Sequence, residues 1–205
     1  MVVSKSELAI ELSKLEVFSK PKEDLEQYPT DSEIGATVLW NAYMKGWIKD
    51  KKVIDFGAGS GILGIGALLL DAKEVVFVEN DKEIIGTLRK NIKEKDLMNK
   101  SKIIRSDIHE IKGINADIVI QNPPFGTRNK SIDMIFLKKA METAPKVISF
   151  HKSSTREYIL KKCLEAGFEL EEEMRFLFPL KNTLSHHRKK IQRIAVSCFF
   201  LAKSI

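Results

Sequence analysis

The sequence has few of the residues that mark disulfide-stabilised, fibrous or metal-stabilised proteins. Its 205 residues include only two cysteines, Cys163 and Cys198, and neither lies in a CxxC or Cys/His cluster. This excludes a disulfide framework, and we predict no metal site and two buried packing cysteines. With 11 glycines, 6 prolines and a hydrophobic fraction of 43%, the composition excludes collagen-like and low-complexity chains and indicates a globular core.

Long apolar runs are also missing. The longest, 62–70 and 195–202, are interrupted by glycine or serine and fall short of the roughly 20 residues that span a bilayer. Residues 1–20 mix charged with apolar side chains, unlike the apolar core of a signal peptide. We therefore expect a cytoplasmic protein with no membrane partner, built as one domain over 1–205, with N-terminal helices in 1–46 that pack on the core.

The positive charge is concentrated in two segments. The formal net charge is +6, yet residues 126–162 alone hold nine basic and three acidic side chains, and 181–193 holds five basic and none acidic. Localised basic charge favours a polyanionic partner such as the phosphate backbone of a nucleic acid. The alternative is a solvated, lysine-rich surface.

Strand and helix patterns alternate along most of the chain. Short β-branched runs at 52–56, 74–78, 102–105, 116–121 and 146–150 predict buried strands, and helical spacing recurs at 60–70, 82–95 and 132–143. Two helices precede this region, at 6–18 and from a cap at 30–32 to residue 46. A helix at 154–166 and an antiparallel hairpin of 168–178 with 191–203 follow it. The prediction is an α/β fold with a seven-stranded, mostly parallel sheet and helices on both faces, which resembles the Rossmann-like fold of class I methyltransferases.

A glycine-rich turn follows the first predicted strand and opens a helix. It reads Asp55-Phe56-Gly57-Ala58-Gly59-Ser60-Gly61. Missing Cβ atoms let a cofactor lie against bare backbone, beside the free N–H groups of a helix N-terminus. Glu79 ends the second strand about 20 positions later, where its carboxylate can accept ribose hydroxyls. The pattern favours a nucleoside-containing cofactor, although such glycines can also be purely structural.

The identity of that cofactor depends on finer details. Residues 59–64 also match the dinucleotide pattern GxGxxG. Against NAD, Asp55 precedes the glycines, Gly57 begins the turn early, and the chain is too short for a separate substrate domain. DxGxGxG is the form that S-adenosylmethionine enzymes use. Asp107, at the end of the third strand, then falls where class I methyltransferases hold the adenine amino group, unless it caps the short turn before His109.

The fourth predicted strand ends in Asn122-Pro123-Pro124-Phe125. In an open parallel sheet this loop faces the glycine turn across the topological switch point. A planar amine is a poor nucleophile, and the Asn122 side-chain oxygen with the Pro123 carbonyl can accept both of its N–H groups and align its lone pair with a methyl donor. Phe125 offers a face on which a base can stack. The alternative is a proline-rich turn in which Asn122 bonds its own backbone.

With these motifs, the chain resembles the small archaeal and eukaryotic adenine-N6 methyltransferases of small-subunit ribosomal RNA, the methyltransferase-like protein five type. The resemblance also rests on 25–30 (Leu-Glu-Gln-Tyr-Pro-Thr), 151–157 (His-Lys-Ser-Ser-Thr-Arg-Glu) and 187–190 (His-Arg-Lys-Lys). It implies S-adenosylmethionine as cofactor, S-adenosylhomocysteine as product, and RNA as partner. Eukaryotic relatives work with a small zinc-binding adaptor protein that covers an apolar sheet edge.

The resemblance also implies which residues form the site. The target-base site would be Asn122, Pro123, Pro124 and Phe125. The residues assigned to the cofactor are Gln27, Tyr28, Thr30, Asp55, Gly57, Gly59, Ser60, Gly61, Ile62, Glu79, Asp107 and Ile108. Weaker candidates for phosphate contact lie in 151–156 and 186–190, namely Lys152, Arg156, His187, Arg188, Lys189 and Lys190. Lys152 and Arg156 could instead cap a helix and hold a carboxylate.

These residues favour an RNA adenine-N6 methyltransferase, with three alternatives. A glutamine-N5 methyltransferase of the release-factor type meets the same planar-nitrogen problem, but its relatives usually carry Tyr where this chain has Phe125. A DNA adenine methyltransferase is disfavoured because no target-recognition insertion interrupts the chain. A non-catalytic RNA-binding or ribosome-assembly factor would not need Asn122 and Glu79.

Overall fold

In the part of the chain that the structure describes, seven strands form one sheet, flanked by six α-helices. The structure is a computed structural model that describes residues 4–17, 30–125, 131–180 and 192–204. In chain order the elements are α1 (Lys5–Ser13), α2 (Ser32–Met44), β1 (Lys52–Phe56), α3 (Ile62–Leu69), β2 (Glu74–Glu79), α4 (Lys82–Glu94), β3 (Ser101–Arg105), β4 (Ile118–Gln121), α5 (Ile132–Thr143), β5 (Lys146–Lys152), α6 (Arg156–Glu165), β6 (Phe168–Leu180) and β7 (Gln192–Lys203).

The strand order across the sheet is β3-β2-β1-β4-β5-β7-β6. Strands β1 to β5 pair in parallel, and β7 pairs antiparallel with both β5 and β6. The chain order reverses between β1 and β4, and ligands of open α/β sheets bind outside the carboxyl ends of the strands at such a reversal. The predicted fold class, with its antiparallel edge hairpin, is confirmed.

A separate apolar layer covers each face of the sheet. One layer joins side chains of α1 to α4 to the sheet, and its fully buried members include Leu12, Leu39 and Phe77. The other joins α5 and α6 to the opposite face, around Leu137 and Phe199. Both cysteines are buried and free, as predicted. Each helix in the described ranges is too short or too polar to cross a membrane.

Several element boundaries differ from those predicted. Helix α1 ends at Ser13 rather than at residue 18, because the chain turns at Lys14 and places Leu15 in the core. Helix α2 ends at Met44, and Gly46, with a φ of 70°, lets the Trp47 N–H bond back to the Ala42 carbonyl at 2.9 Å. The strand predicted at 116–121 begins at residue 118, and the helix predicted at 154–166 is α6, preceded by a single 3₁₀ turn.

Candidate active site

The glycine-rich turn lies at the carboxyl end of β1, and α3 begins directly after it. Gly57 has a φ of 67°, and a Cβ there would lie 3.2 Å from the Phe136 ring. Gly61 has a φ of 95°, and its Cβ would lie 2.5 Å from Leu88. The left-handed backbone conformation therefore favours glycine at both positions, and packing excludes a Cβ at Gly61. Phe136, on α5, is a neighbour of the turn that sequence reasoning missed.

Asp55 lies beneath this turn. It is only 1% exposed, and its Oδ2 accepts a hydrogen bond of 2.8 Å from the Gly64 N–H in the first turn of α3. Burial is the largest influence on the carboxyl group, opposed by that bond and reinforced by Glu79, and raises the pKa of Asp55 to about 8. The side chain thus ties β1 to the start of α3, and its predicted contact with a cofactor stays a prediction.

Glu79 joins the end of β2 to the glycine turn. Its Oε2 accepts from the Gly59 N–H, and its Oε1 accepts from the N–H groups of Asn80 and Asp81, each at 2.9 Å. A carboxylate has about four acceptor positions, and these three bonds occupy two on Oε1 and one on Oε2. About one acceptor position, on Oε2, is therefore left for a ligand. A single ribose hydroxyl matches that position, whereas two hydroxyls would require a backbone bond to give way.

Asp107 caps the 3₁₀ turn that begins at Ile108. Its Oδ1 accepts from the His109 N–H at 3.0 Å and lies 2.6 Å from His109 Nδ1. These two contacts, the backbone bond first, lower the pKa of Asp107. Its Oδ2 accepts a bond of 3.3 Å from the Asn80 side chain. The capping alternative is therefore realised, while contacts of Asp107 and the buried Ile108 with adenine stay predictions.

The loop after β4 brings Asn122 to the N-terminal part of the chain. The Asn122 Nδ2 donates a hydrogen bond of 3.0 Å to the Thr30 Oγ1. Its Oδ1 is buried and accepts no hydrogen bond within the part of the chain that the structure describes. Pro123 is buried and Pro124 is half-buried. Phe125 is 6% exposed, with its ring edge-on to Phe178 at a centroid distance of 6.2 Å, so stacking on a base requires the ring to be uncovered.

A buried polar chain supports this loop from the face covered by α5. Gln121 donates from its Nε2 to the Ser149 Oγ at 2.9 Å, the Ser149 Oγ lies 2.8 Å from His151 Nε2, and His151 Nδ1 lies 3.2 Å from Asp133 Oδ2. These hydrogen bonds link β4 and β5 to the first turn of α5. In the sequence, Gln121 comes just before residues 122–131 and Asp133 comes just after them. Polar residues at alternate positions of the apolar strand β5 are the signal that could have revealed it.

Ser149, His151 and Asp133 have the connectivity of a nucleophilic triad but cannot act as one. Ser149 and His151 are 0% exposed in the middle of the sheet. No substrate reaches the hydroxyl, whose Oγ also accepts from Gln121. The group is a structural support of the loop.

The residues of the predicted RNA-contacting segment at 151–156 differ in their burial and in their partners. A phosphate contact at His151 is wrong, because its ring is buried in the polar chain. Lys152 is half-buried. Arg156 donates to Glu173 at 2.8 Å and to Glu157 at 2.7 Å, as the carboxylate alternative anticipated. Whether Lys152 and Arg156 also contact RNA stays a prediction.

The remaining predicted residues are only partly described. Thr30 is half-buried, whereas Ser60 and Ile62 are 3% and 5% exposed beside the glycine turn. Gln27, Tyr28, His187, Arg188, Lys189 and Lys190 lie outside the described residues. Within the described ranges no cluster of three or more His, Cys, Asp or Glu side chains could hold a metal ion.

The sheet order, the glycine turn with Glu79, and the Asn-Pro-Pro-Phe loop together define a class I methyltransferase. A family described as "Conserved hypothetical protein 95" matches residues 22–169, more than half of the chain. The rRNA N(6)-adenosine-methyltransferase METTL5 of Danio rerio is 36% identical over 191 residues, which cover 90% of this chain and 92% of the relative. The chain therefore belongs to this family and to that of the METTL5 relatives, as the resemblance predicted.

Two further relatives match nearly the full length. The rRNA N(6)-adenosine-methyltransferase metl-5 of Caenorhabditis elegans is 33% identical over 204 residues, with 94% of both chains covered. A solved structure from Pyrococcus horikoshii, described as a candidate RNA methyltransferase, is 42% identical, has a TM-score of 0.90 and matches 100% of both chains.

Proposed function

We propose that the protein transfers a methyl group from S-adenosylmethionine to N6 of an adenosine in RNA, and that this RNA is small-subunit ribosomal RNA. The observation that carries the proposal is the side chain of Asn122. Its nitrogen is anchored while its buried oxygen has no hydrogen-bond partner among the described residues. Buried acceptors are normally satisfied, so such an oxygen at the switch point of the sheet is suited to a donor on a substrate.

The residues at the end of β1 and β2 fit S-adenosylmethionine. The turn carries no side chain at Gly57, Gly59 and Gly61, and Glu79 retains an acceptor position beside it for a ribose hydroxyl. The apolar residue Ile62 begins α3 after the turn, and Ile108 follows the end of the neighbouring strand β3. When bound, the cofactor supplies an electrophilic methyl group on a sulfonium.

The Asn122 loop would control the nucleophile. The lone pair of an exocyclic adenine amine is delocalised into the ring, so the amine attacks poorly. Acceptance of its two N–H groups by Asn122 Oδ1 and the Pro123 carbonyl would draw the nitrogen towards a pyramidal geometry and aim its lone pair at the methyl carbon. As the new N–C bond forms, the methyl–sulfur bond would break and leave its electron pair on the sulfur of S-adenosylhomocysteine, and the nitrogen, at first cationic, would then release a proton to water.

The acceptor class is supported by the relatives and by charge. Those from Danio rerio and Caenorhabditis elegans are named as rRNA N(6)-adenosine methyltransferases. The basic segment 126–162 provides cations for phosphates, although the described structure pairs some of them, such as Lys139 with Glu142 and Lys162 with Glu165. The zinc-binding adaptor protein and the cytoplasmic location stay predictions.

The test is transfer of labelled methyl from S-adenosylmethionine to purified small-subunit RNA, with nucleoside mass analysis of the product. Release-factor protein and DNA serve as competing acceptors. We expect N6-methyladenosine in the RNA alone. Label in the protein would instead support the glutamine-N5 alternative, and label in none of the acceptors would favour a binding factor or a missing adaptor.

A pair of variants ties the activity to the loop. Asn122→Ala should keep the affinity for S-adenosylmethionine and lose methylation, because it removes the acceptor for the target amine together with the hydrogen bond to Thr30. Asn115→Ala, at an exposed position before β4, is the matched control and should retain full activity. Equal activity in both variants would overturn the proposed role of Asn122.

A further inference from the structure

We propose that Phe178 is a positioning residue that supports the ring of Phe125 from behind, so that the edge hairpin formed by β6 and β7 takes part in holding the target base. This inference rests on the proposed function, in which the base stacks on Phe125, and it adds a residue that acts through Phe125. Phe125 follows β4 and Phe178 lies on β6, and these two strands are not adjacent in the sheet.

The edge hairpin extends past the end of its neighbour β5. The last residue of β5, Lys152, is paired with Val196 of β7, whereas β6 and β7 remain paired for four further positions. At about 3.3 Å per residue, this extension is about 13 Å long. It runs beyond the carboxyl end of β5, on the edge of the sheet where the Asn122 loop follows β4. Phe178 lies within this extension.

Phe178 is buried although it lies in this extension. Its chain neighbour Leu177 faces the other side of the strand and is 61% exposed, whereas Phe178 is 3% exposed. The Phe178 ring lies against two others, with a centroid distance of 6.2 Å to Phe125 and of 5.8 Å to Phe150. Phe150 is fully buried in the central part of the sheet. Phe178 therefore links the ring of Phe125 to the core.

The contact leaves one face of Phe125 for a base. The planes of Phe125 and Phe178 are inclined by 68°, so Phe178 occupies at most one of the two faces of the Phe125 ring. An adenine can stack on the opposite face once that face is uncovered. With Phe178 behind it, the Phe125 ring cannot move away from the base, which keeps the target amine within reach of the Asn122 oxygen. A small side chain at position 178 would leave a cavity into which the Phe125 ring could turn.

Variants at two positions of β6 test this role. Phe178→Ala removes the support of Phe125, and we expect kcat for methylation of small-subunit RNA to fall about tenfold, equivalent to about 1.4 kcal/mol. Phe176→Ala is the matched control, because Phe176 lies on the same face of β6 and its ring is 6.3 Å from that of Phe150. Its kcat should stay within about twofold of the parent. Equal losses in F178A and F176A would overturn the proposal, since they would reflect a general weakening of the hairpin.

Leucine variants keep the test decisive if an alanine variant does not fold. Phe178→Leu retains apolar volume but only part of the support, so its kcat should fall about threefold. Phe176→Leu should have the kcat of the parent. Equal kcat values in F178L and F176L would contradict the inference.

Binding measurements separate positioning of the base from a loss of cofactor or RNA contacts. Phosphate contacts dominate the affinity of proteins for nucleic acids, whereas entry of the base into the site is an equilibrium within the bound complex. F178A should therefore lower kcat, while the dissociation constants for S-adenosylmethionine, from calorimetry, and for RNA, from filter binding, stay within about twofold. A loss of either affinity that accounts for the whole loss of activity would overturn the proposal.

A double variant shows whether Phe178 acts through Phe125. In the F125L background there is no ring to support, so the effect of F178A on kcat should fall to about twofold or less. An undiminished tenfold effect there would contradict the inference. If F125L has no turnover, the comparison of F178A with F176A decides.

Failure of the proposed function gives a different result. If the parent protein forms no N6-methyladenosine in RNA, the proposed function is wrong, and the role of Phe178 is wrong with it. If the parent methylates RNA and F178A has the same kcat, the proposed function stands and only the positioning role of Phe178 is wrong.

Discussion

The carboxylate of Glu79 at the end of β2 accepts a hydrogen bond of 2.9 Å from the backbone N–H of Gly59 in the glycine turn. The same carboxylate bonds the N–H groups of Asn80 and Asp81. One side chain thus fixes the turn, holds the backbone between β2 and α4, and keeps one acceptor position at the predicted ribose site.

Replacement of Glu79 by alanine should weaken binding of S-adenosylmethionine. The variant loses the acceptor for a ribose hydroxyl and frees the Gly59 turn, and we expect the dissociation constant to rise at least about tenfold in calorimetry. Glu94→Ala, at the exposed end of α4, is the control. Unchanged affinity in E79A would mean that the ribose site is misplaced.

Asp55 should make the stability of the protein fall as the pH rises. Its native pKa is about 8, against about 3.8 in the unfolded chain, so between these values the native state holds a proton that the unfolded state has lost. Stability contributed by this group is full below about pH 3.8 and declines towards pH 8. Asp55→Asn keeps an acceptor for the Gly64 N–H and removes the titration.

Chemical denaturation from pH 5 to 8 measures this effect. We expect the unfolding free energy of D55N to change less over this range than that of the parent. Asp50→Asn, at an exposed position before β1, should follow the parent. If the unfolding free energies of D55N and the parent changed with pH in the same way, the ionisation of the Asp55 carboxyl group would not lower the stability of the native state.

Asn91 should be a strong determinant of stability. This fully buried amide donates to the carbonyls of Glu16 and Ser60 and accepts from the Glu16 N–H, each at 2.9 Å, which joins the segment after α1 to the glycine turn. Asn91→Ala leaves these backbone groups unpaired and should lower the unfolding free energy by about 3 kcal/mol in urea denaturation. Asn99→Ala, at an exposed position, should change it by less than about 0.5 kcal/mol.

The ionised side chain of Glu173 should stabilise the edge hairpin above pH 4.5. Burial opposes ionisation, but hydrogen bonds from Arg175, Arg156 and Ser197 outweigh it and lower the pKa of Glu173 from 4.5 to about 2. The unfolded chain therefore takes up a proton before the native state does, and the contribution, at most about 3 kcal/mol, is lost as the pH falls from 4.5 towards 2.

Glu173→Gln tests this expectation. It should be less stable than the parent at pH 7, and the difference should shrink between pH 5 and pH 3 in chemical denaturation. Glu171→Gln, an exposed neighbour on the same strand, is the control. If the difference in unfolding free energy between the two proteins stayed constant across this range, the contacts of Arg156 and Arg175 would stabilise the protein independently of the charge of Glu173.

The order of the elements was predictable because their signals are local. Apolar runs, caps such as Asp81 before α4, and the glycines of the turn depend on residues close in the chain. The ends of α1 and α2 were less predictable, since Leu15 and Trp47 leave the helical path to enter the core. Tertiary burial, which the local pattern does not contain, decides those boundaries.

The candidate site was predictable to the extent that its chemistry lies in contiguous motifs. The glycine turn, Glu79 and the Asn122 loop meet at the switch point because parallel strands bring their carboxyl ends to one edge. The role of the run at 151–157 was harder to predict. Whether its basic residues faced solvent or carboxylates depended on the register of β5, β6 and β7, which places Arg156 beside Glu173.

The sequence by itself determined the class of fold, the cofactor motif and the loop that would hold the target amine, since each is written in neighbouring residues. Only the tertiary structure decided the partners of the polar groups. Thr30 meets Asn122, Asn91 meets Ser60, and His151 meets Asp133 across separate elements. The physical reason is that a buried hydrogen bond depends on the relative position and direction of its donor and acceptor. For groups on separate elements, both are set by how those elements pack together.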